Sequence, residues 1–294
     1  MNKLFESFTS VHSPYECFIF DTQKEHFPIR SHWHHFVEIL YMIEGQVITE
    51  CDGVTYELNK DDMILFHSKS VHSIFQNETQ KARYVVLQFD LYSLNRLNAY
   101  SNNFRSLLNN AKGNPHAPVL FRSHELTSYP LISLFKECIS ERTRCEFGYD
   151  ILMNVNISRL LTYMVRVWRE HGFDTTKLVE SMKEETEFDQ ILEYIDEHSN
   201  ETILVSDLAK RCNMSYSNFA KSFKQMYGKS CKDYIEYIKI SKTQDMLLFT
   251  DFDLKYISQV AGFSDCSHFI KTYKKIMGIT PKQHKLQLLK RKES

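Results

Sequence analysis

Glycine and proline are scarce in this chain, at 8 and 6 of 294 residues. That scarcity argues against collagen-like repeats and long flexible tracts. No apolar run approaches the roughly 20 residues that a membrane-spanning helix needs. The first ten residues, MNKLFESFTS, lack the basic start and apolar core of a secretory signal, so the cytoplasm is expected and no membrane partner is. The seven cysteines, an odd number, are Cys17, Cys51, Cys138, Cys145, Cys212, Cys231 and Cys266. No two stand at C-x-x-C spacing, which argues against a disulfide framework or a cysteine zinc site. They read as small buried hydrophobes in a reducing compartment. Net charge is also nearly absent, at −1. What remains is an ordinary globular composition, 43% hydrophobic and 25% charged, on a chain long enough for two cores.

The small net charge hides an uneven distribution. Residues 205–292 hold 17 Lys and Arg against 7 Asp and Glu, and Lys271–Lys292 holds eight basic side chains and no acidic one. A charge run is most often a solvated face. Interleaved with apolar positions at helical spacing, it is also the footprint of a polyanion binder.

Residues 15–90 read as short strands. ECFIF, FVEILYMI, QVITEC, VTYEL, DMILF and YVVLQF are rich in β-branched and aromatic side chains. Turn residues separate them, with Asp52-Gly53 as a tight hairpin signal. Short strands at such spacing suggest a barrel or sandwich. From about residue 125 the period becomes helical. Leu131, Leu134, Phe135, Cys138 and Ile139 share one face, and a long amphipathic helix is predicted over 149–170. Residues 173–186 read as a polar linker. Beyond it the chain reads as short helices, with N-caps predicted at Ser206, Ser215 and Ser264. Thr280-Pro281-Lys282-Gln283 reads as a capping box for the last helix. The expected division is a barrel over 1–120, a helical packing or dimerisation segment over 121–172, the linker, and an all-α domain over 187–290.

Within that last domain a pattern repeats. LAKRCNMSYSNFAKSFKQMYGKS (208–230) and ISQVAGFSDCSHFIKTYKKIMGIT (257–280) each show a short helix, a tight turn, a cap and an amphipathic helix closed by Gly228 or Gly278. Phe219 and Phe223, and again Phe269 and Tyr273, stand four apart and would face a core. The opposite faces then present Ser217, Asn218, Lys221 and Ser222 on one helix, and Ser267, His268, Lys271 and Thr272 on the other. Such side chains can read base edges in a major groove. Lys224, Lys274, Lys275 and the basic tail would contact phosphates, adding affinity without sequence information. A plain helical bundle with polar outer faces is the competing reading. The tandem repeat and the basic tail weigh against it.

These residues resemble the AraC/XylS family of regulators. Leu208-Ala209, Ser215, Phe219, Phe223 and Gly228-Lys229-Ser230 carry the likeness, followed by Gly262-Phe263, Phe269, Lys274 and Gly278-x-Thr280-Pro281. The resemblance implies two helix-turn-helix units, about 205–228 and 254–278, joined by a linking helix and entering successive major grooves of double-stranded DNA. Lys239, Thr243, Ser258 and His284-Lys285 depart from the family pattern, where Arg, Ala, Ala and Tyr-Arg are usual.

In the barrel, His32-Trp33-His34 and Glu38, with Gly45 after six more residues, match the H-x-H-x3-E-x6-G spacing of the cupin family, and His72 follows in a weaker second motif. Two histidines one residue apart on a strand point the same way. With Glu38 and His72 they offer three nitrogens and a carboxylate, a set suited to Fe, Mn, Ni or Zn. The same residues serve equally as the polar lining of a metal-free pocket, with Tyr41, Phe66 and Phe89 as candidate walls. The leading reading is an α+β multidomain regulator of transcription: a cupin-like sensing barrel with effector-binding residues His32, His34, Glu38 and His72, then helices and the DNA-binding domain. The family likeness implies an activator more often than a repressor, a homodimer, a sugar or related metabolite as effector, and RNA polymerase as a further partner. This reading assigns no catalytic residue, no metal and no cofactor. A metal-dependent cupin enzyme with a DNA-binding tail is the alternative.

Overall fold

The computed structural model describes residues 15–76, 81–91, 101–175, 187–227 and 229–292. The chain divides into two compact units, mainly Pro14–Met182 and Lys183–Ser294. Residues 121–172 fall in the same unit as the strands. Most of the predicted linker, residues 176–186, and Gly228 lie outside the described residues.

The first unit is built from nine strands: β1 (Tyr15–Asp21), β2 (Ile29–His32), β3 (Val37–Glu44), β4 (Val47–Cys51), β5 (Val54–Leu58), β6 (Met63–Phe66), β7 (His72–Phe75), β8 (Arg83–Phe89) and β9 (Leu120–Phe121). They form two antiparallel sheets, ordered β1-β8-β3-β6-β9 and β2-β7-β4-β5. All six predicted strands are present. The unpredicted strands are short: β2, β7 and β9, of four, four and two residues. The hairpin at Asp52-Gly53 takes positive φ at both residues, 49° and 84°. That backbone is what an Asp-Gly turn between twisted strands requires.

β3 is buried along six consecutive residues because both of its faces are covered. Its even-numbered side chains, Leu40 and Met42, join Phe66, Tyr84 and Val86 of the same sheet and Val47, Leu58 and Ile74 of the other in the interior between the sheets. Its odd-numbered side chains meet helices. These are α1 (Ser101–Ala111), α2 (Ser123–Leu126), α3 (Leu131–Arg144) and α4 (Tyr149–Glu170). Tyr41 stacks on Phe135 at 5.2 Å, Tyr15 meets Tyr149 edge-on at 6.4 Å, and Phe121 lies 5.8 Å from Trp168. Arg142 of α3 grips Glu16 of β1 through two bonds of 2.9 and 3.1 Å.

The second unit is helical: α5 (Glu187–Glu197), α6 (Val205–Arg211), α7 (Tyr216–Tyr227), α8 (Cys231–Phe249), α9 (Leu254–Val260), α10 (Cys266–Met277) and α11 (Pro281–Lys292). Phe188 of α5 stacks flat on Phe219 at 5.5 Å and also meets Phe223 and Tyr227. A second cluster gathers Ile240, Leu247, Ile257, Phe263, Phe269, Tyr273 and Ile276. The two paired aromatics of each repeat are therefore core residues, all with no exposed surface.

Two predicted caps move. Ser206 sits inside α6, whose N-cap is Leu204 with no side-chain bond. Ser264 gives way to Asp265, whose carboxylate accepts from the His268 amide at 2.7 Å. Carboxylates outrank most side chains at a helix N-terminus because they meet both the free amide and the dipole. Ser215 does cap α7, accepting from the Asn218 amide. The reciprocal bonds of Thr280 and Gln283 form the predicted capping box.

Candidate functional site: a duplicated polar helix face and a histidine-lined barrel

With Asp265 as the cap, the two repeats align at a constant offset from the cap onward. Ser215 corresponds to Asp265, Phe219 to Phe269, Lys221 to Lys271 and Phe223 to Tyr273. Before the turn the correspondence is one residue shorter, because the second turn is one residue longer. Asn213 in the first turn and Gly262 in the second both take the left-handed conformation, at φ 50° and 71°. Asn tolerates that region. At Gly262 a Cβ would stand 2.0 Å from the Asn200 carbonyl oxygen, so only glycine fits.

Ser217, Asn218, Lys221 and Lys224 are exposed along α7, and Ser267, His268, Lys271 and Lys274 are exposed along α10. Ser222 is half-buried. Two expected members differ. Thr272 is buried at 4% exposure, because it falls on the side of α10 that packs with Tyr273 and Ile276. Lys275 is exposed but ion-paired, with its ammonium 2.7 Å from Asp233 and 3.2 Å from Glu236 of the linking helix α8. The hydrogen bond from Lys275, then that from Ser230, holds the Asp233 carboxyl below its usual range, and the same pairing raises the lysine. Lys275 thus has carboxylate partners within the domain, whereas among the described residues Lys224, Lys271 and Lys274 have none.

Sequence reasoning missed the role of Lys239. Its ammonium is buried and donates to the Glu201 carbonyl at 3.0 Å and the Gly262 carbonyl at 2.6 Å, beside the Phe263 ring. One cation thereby joins the linking helix to the chain ahead of the first helix-turn-helix and to the turn of the second. Thr243 and Ser258, two further departures from the family pattern, are also buried, and each hydroxyl bonds a carbonyl of its own helix.

In the barrel, His32, His34, Glu38 and His72 converge: one ligand-type atom from each lies within 4.8 Å of the others. His32 ends β2, but His34 lies past the strand rather than on it. The loop carries it back to the same side, with its ring 5.7 Å from His32 and 5.1 Å from His72. His34 Nε2 is 2.7 Å and His72 Nε2 3.5 Å from Glu38 Oε2. Burial opposes ionisation of Glu38, yet the contacts with His34 and His72 prevail and hold its pKa well below the carboxylate norm. Gln88, also missed from sequence, donates to the same carboxylate oxygen at 2.8 Å. It stands directly across from Glu38 in the β3–β8 register.

Of the three expected walls, Phe66 is at the site, stacked on His72 at 4.2 Å. Tyr41 and Phe89 are not. Side chains alternate across a strand, so residues 38 and 88 face inward while 41 and 89 face the helices. Tyr41 instead donates to Asp61 and lines an open cleft of about 670 Å³ with Tyr129, Leu131 and Lys136.

Known proteins share both halves of this arrangement. Residues 13–123 match the family model described as an AraC-like ligand binding domain, and residues 208–287 match a helix-turn-helix domain. An uncharacterized HTH-type transcriptional regulator of Bacillus subtilis, YdeC, is 22% identical over 261 residues, covering 87% of this chain and 86% of its own. The xylose operon regulatory protein of Escherichia coli is 27% identical over 129 residues, 44% of this chain and 32% of its own. Among solved structures, ToxT from Vibrio cholerae aligns over 94% of this chain and 98% of its own, at TM-score 0.40 and 15% identity. With a ligand-binding barrel followed by two helix-turn-helix units, this chain belongs to the AraC/XylS family of transcriptional regulators.

Proposed function

We propose that this regulator reads DNA with Ser217, Asn218 and Lys221 of α7 and with Ser267, His268 and Lys271 of α10, while Lys224 and Lys274 anchor phosphates. The observation that carries this reading is the constant offset of the two helices, each exposing a short polar set above two buried aromatics. Base contacts come from the polar sets and salt dependence from the lysines. Lys275 serves the fold instead, through Asp233 and Glu236. The barrel binds a small-molecule effector whose polar partners are His32, His34, Glu38 and His72. Relatives that include a xylose operon regulator and the Msm operon regulatory protein of Streptococcus mutans support a sugar-related effector and a regulator rather than an enzyme. An activator acting as a cytoplasmic homodimer with RNA polymerase as partner fits the family. Among the described residues no helix is long and apolar enough to cross a membrane. Ile151, Leu152 and Val155 expose an apolar stripe on α4, which supports this helix as the dimer contact.

Mobility shifts on DNA from the chain's own upstream region, at two salt concentrations, test the assignment. Ser267→Ala and Lys271→Ala should change the ranking of binding sites, whereas Lys274→Ala should weaken all sites alike. Equal losses on every sequence for all three variants would remove the base-reading assignment.

A further inference from the structure

We infer that the open cleft between the 59–62 turn and α3, on the helix-covered side of the barrel wall, binds a second ligand: a small zwitterion of the α-amino acid class with an apolar side chain, its ammonium on Asp61 and its carboxylate on Lys136. The cleft lies outside the barrel interior and shares no residue with the four that converge there.

Two neighbouring carboxylates in the turn ahead of β6 do different things. Asp62 is buried and spent on the fold: it accepts from the Asn59 amide at 3.1 Å, from Arg122 Nη1 at 2.8 Å and from the Ser123 amide at 2.8 Å. Those bonds pin the start of α2 to the turn, so this wall is fixed before a ligand arrives. Asp61 is half-buried and lines the cleft. Its Oδ1 accepts from the Tyr41 hydroxyl at 3.0 Å. Burial, then that bond, pushes the Tyr41 hydroxyl above the usual tyrosine range, so it stays a donor and holds the carboxylate in place. Lys136 lines the same cleft from α3. Two other charged side chains of that helix are paired, Arg142 with Glu16 and Glu137 with Arg159. Neither Asp61 nor Lys136 has an ion-pair partner among the described residues, and they do not pair with each other. A ligand that carries both charges gains from each, whereas a ligand with one charge leaves the other facing it unpaired.

The polarity of α3 agrees with this orientation. Lys136 stands in the second turn of a helix whose N-terminus has no side-chain cap bond and no acidic residue in its first turn, so the helix dipole also favours a carboxylate at that end. The rest of the lining is apolar and aromatic, with Leu126, Tyr129, Leu131 and Ile132. Ile132 leaves 52% of its surface open to water, surface that an apolar ligand side chain would cover. The volume, about 670 Å³, lies within the range of about 300–1,000 Å³ common to small-molecule sites. Tyr129 also stacks on Tyr163 of α4 at 4.5 Å, so a ligand against Tyr129 acts on the helix assigned to the dimer contact. The cleft is thereby placed to modulate the regulator independently of the barrel.

The test is calorimetric titration of the full chain with L-phenylalanine and L-leucine, and with phenethylamine and 3-phenylpropionate as probes that each lack one charge. The expected result is one equivalent of amino acid bound, with each single-charge probe weaker by about 10-fold or more. The variants should then divide by charge. Asp61→Asn, which suits the left-handed backbone at φ 67°, should weaken L-phenylalanine and phenethylamine by about 10-fold and leave 3-phenylpropionate unchanged. Lys136→Met should weaken L-phenylalanine and 3-phenylpropionate and leave phenethylamine unchanged. Circular dichroism of each variant separates loss of ligand from loss of fold. No binding of either amino acid at large excess, single-charge probes that bind as well as L-phenylalanine, or binding unchanged in folded Asp61→Asn and Lys136→Met overturns the inference. A mobility shift by the ligand-free chain reports on the regulator reading independently, so the two can fail separately.

Discussion

Gly262→Ala should destabilise the second unit by about 2–5 kcal/mol, most of the way to unfolding a marginal domain. Two costs add. An alanine held at the φ of 71° seen here is left-handed, at about 1–2 kcal/mol. Its methyl carbon would also stand 2.0 Å from the Asn200 carbonyl oxygen, and 2.4 Å from its carbon, so backbone must move. Forced overpacking of this kind costs typically about 1–3 kcal/mol. The neighbouring carbonyl of Gly262 receives the Lys239 ammonium, so any shift of the turn also disturbs that buried bond. Asn213 is the internal control. It holds the corresponding place in the first repeat at φ 50°, and Asn213→Gly should change stability by less than about 1 kcal/mol. Urea unfolding of the full chain, monitored by far-ultraviolet circular dichroism, measures both. A Gly262→Ala transition within about 0.5 kcal/mol of the parent would refute the reasoning. It would mean that the turn approaches residue 200 less closely than described.

Three further outcomes follow from the same geometry. Lys239→Met leaves the Glu201 and Gly262 carbonyls without their donor. A lower unfolding free energy from urea titration is expected, by about 1–3 kcal/mol for each carbonyl left unsatisfied; an unchanged value would show that water replaces the ammonium. Asp233 has a folded pKa below its unfolded value, so its contribution is present above the unfolded pKa of 3.8 and is lost as pH falls through the depressed value. Lys275→Gln should move that titration upward in carboxylate NMR and leave the salt dependence of DNA binding nearly unchanged; a drop in the salt slope of about 1 would instead make Lys275 a phosphate contact. Ser215→Ala should cost about 1 kcal/mol through loss of the α7 cap, read from the thermal midpoint, and no shift would show that water caps the helix equally well.

Much of this molecule is local, and local order is legible in a sequence. Strand alternation, the Asp52-Gly53 turn, the 149–170 helix and the repeated aromatic pairs at i and i+4 follow from periods of 2 and 3.6 residues. The duplicated helix-turn-helix pattern, and with it the family, could therefore be read directly. The four barrel residues were legible as a spacing, although His34 reaches the site from a loop rather than from the strand. What the tertiary structure alone decided depends on partners far apart in the chain. Gln88 meets Glu38 only because β3 and β8 pair in that register. Tyr41 and Phe89 face the helices because the sheet has a second covered side. Lys275 is ion-paired because α8 offers two carboxylates, and Lys239 is buried because three segments close around it. A periodic pattern names the face on which a side chain lies, whereas packing chooses which element covers that face. That choice sums many weak contacts over the whole fold, so no window of sequence contains it.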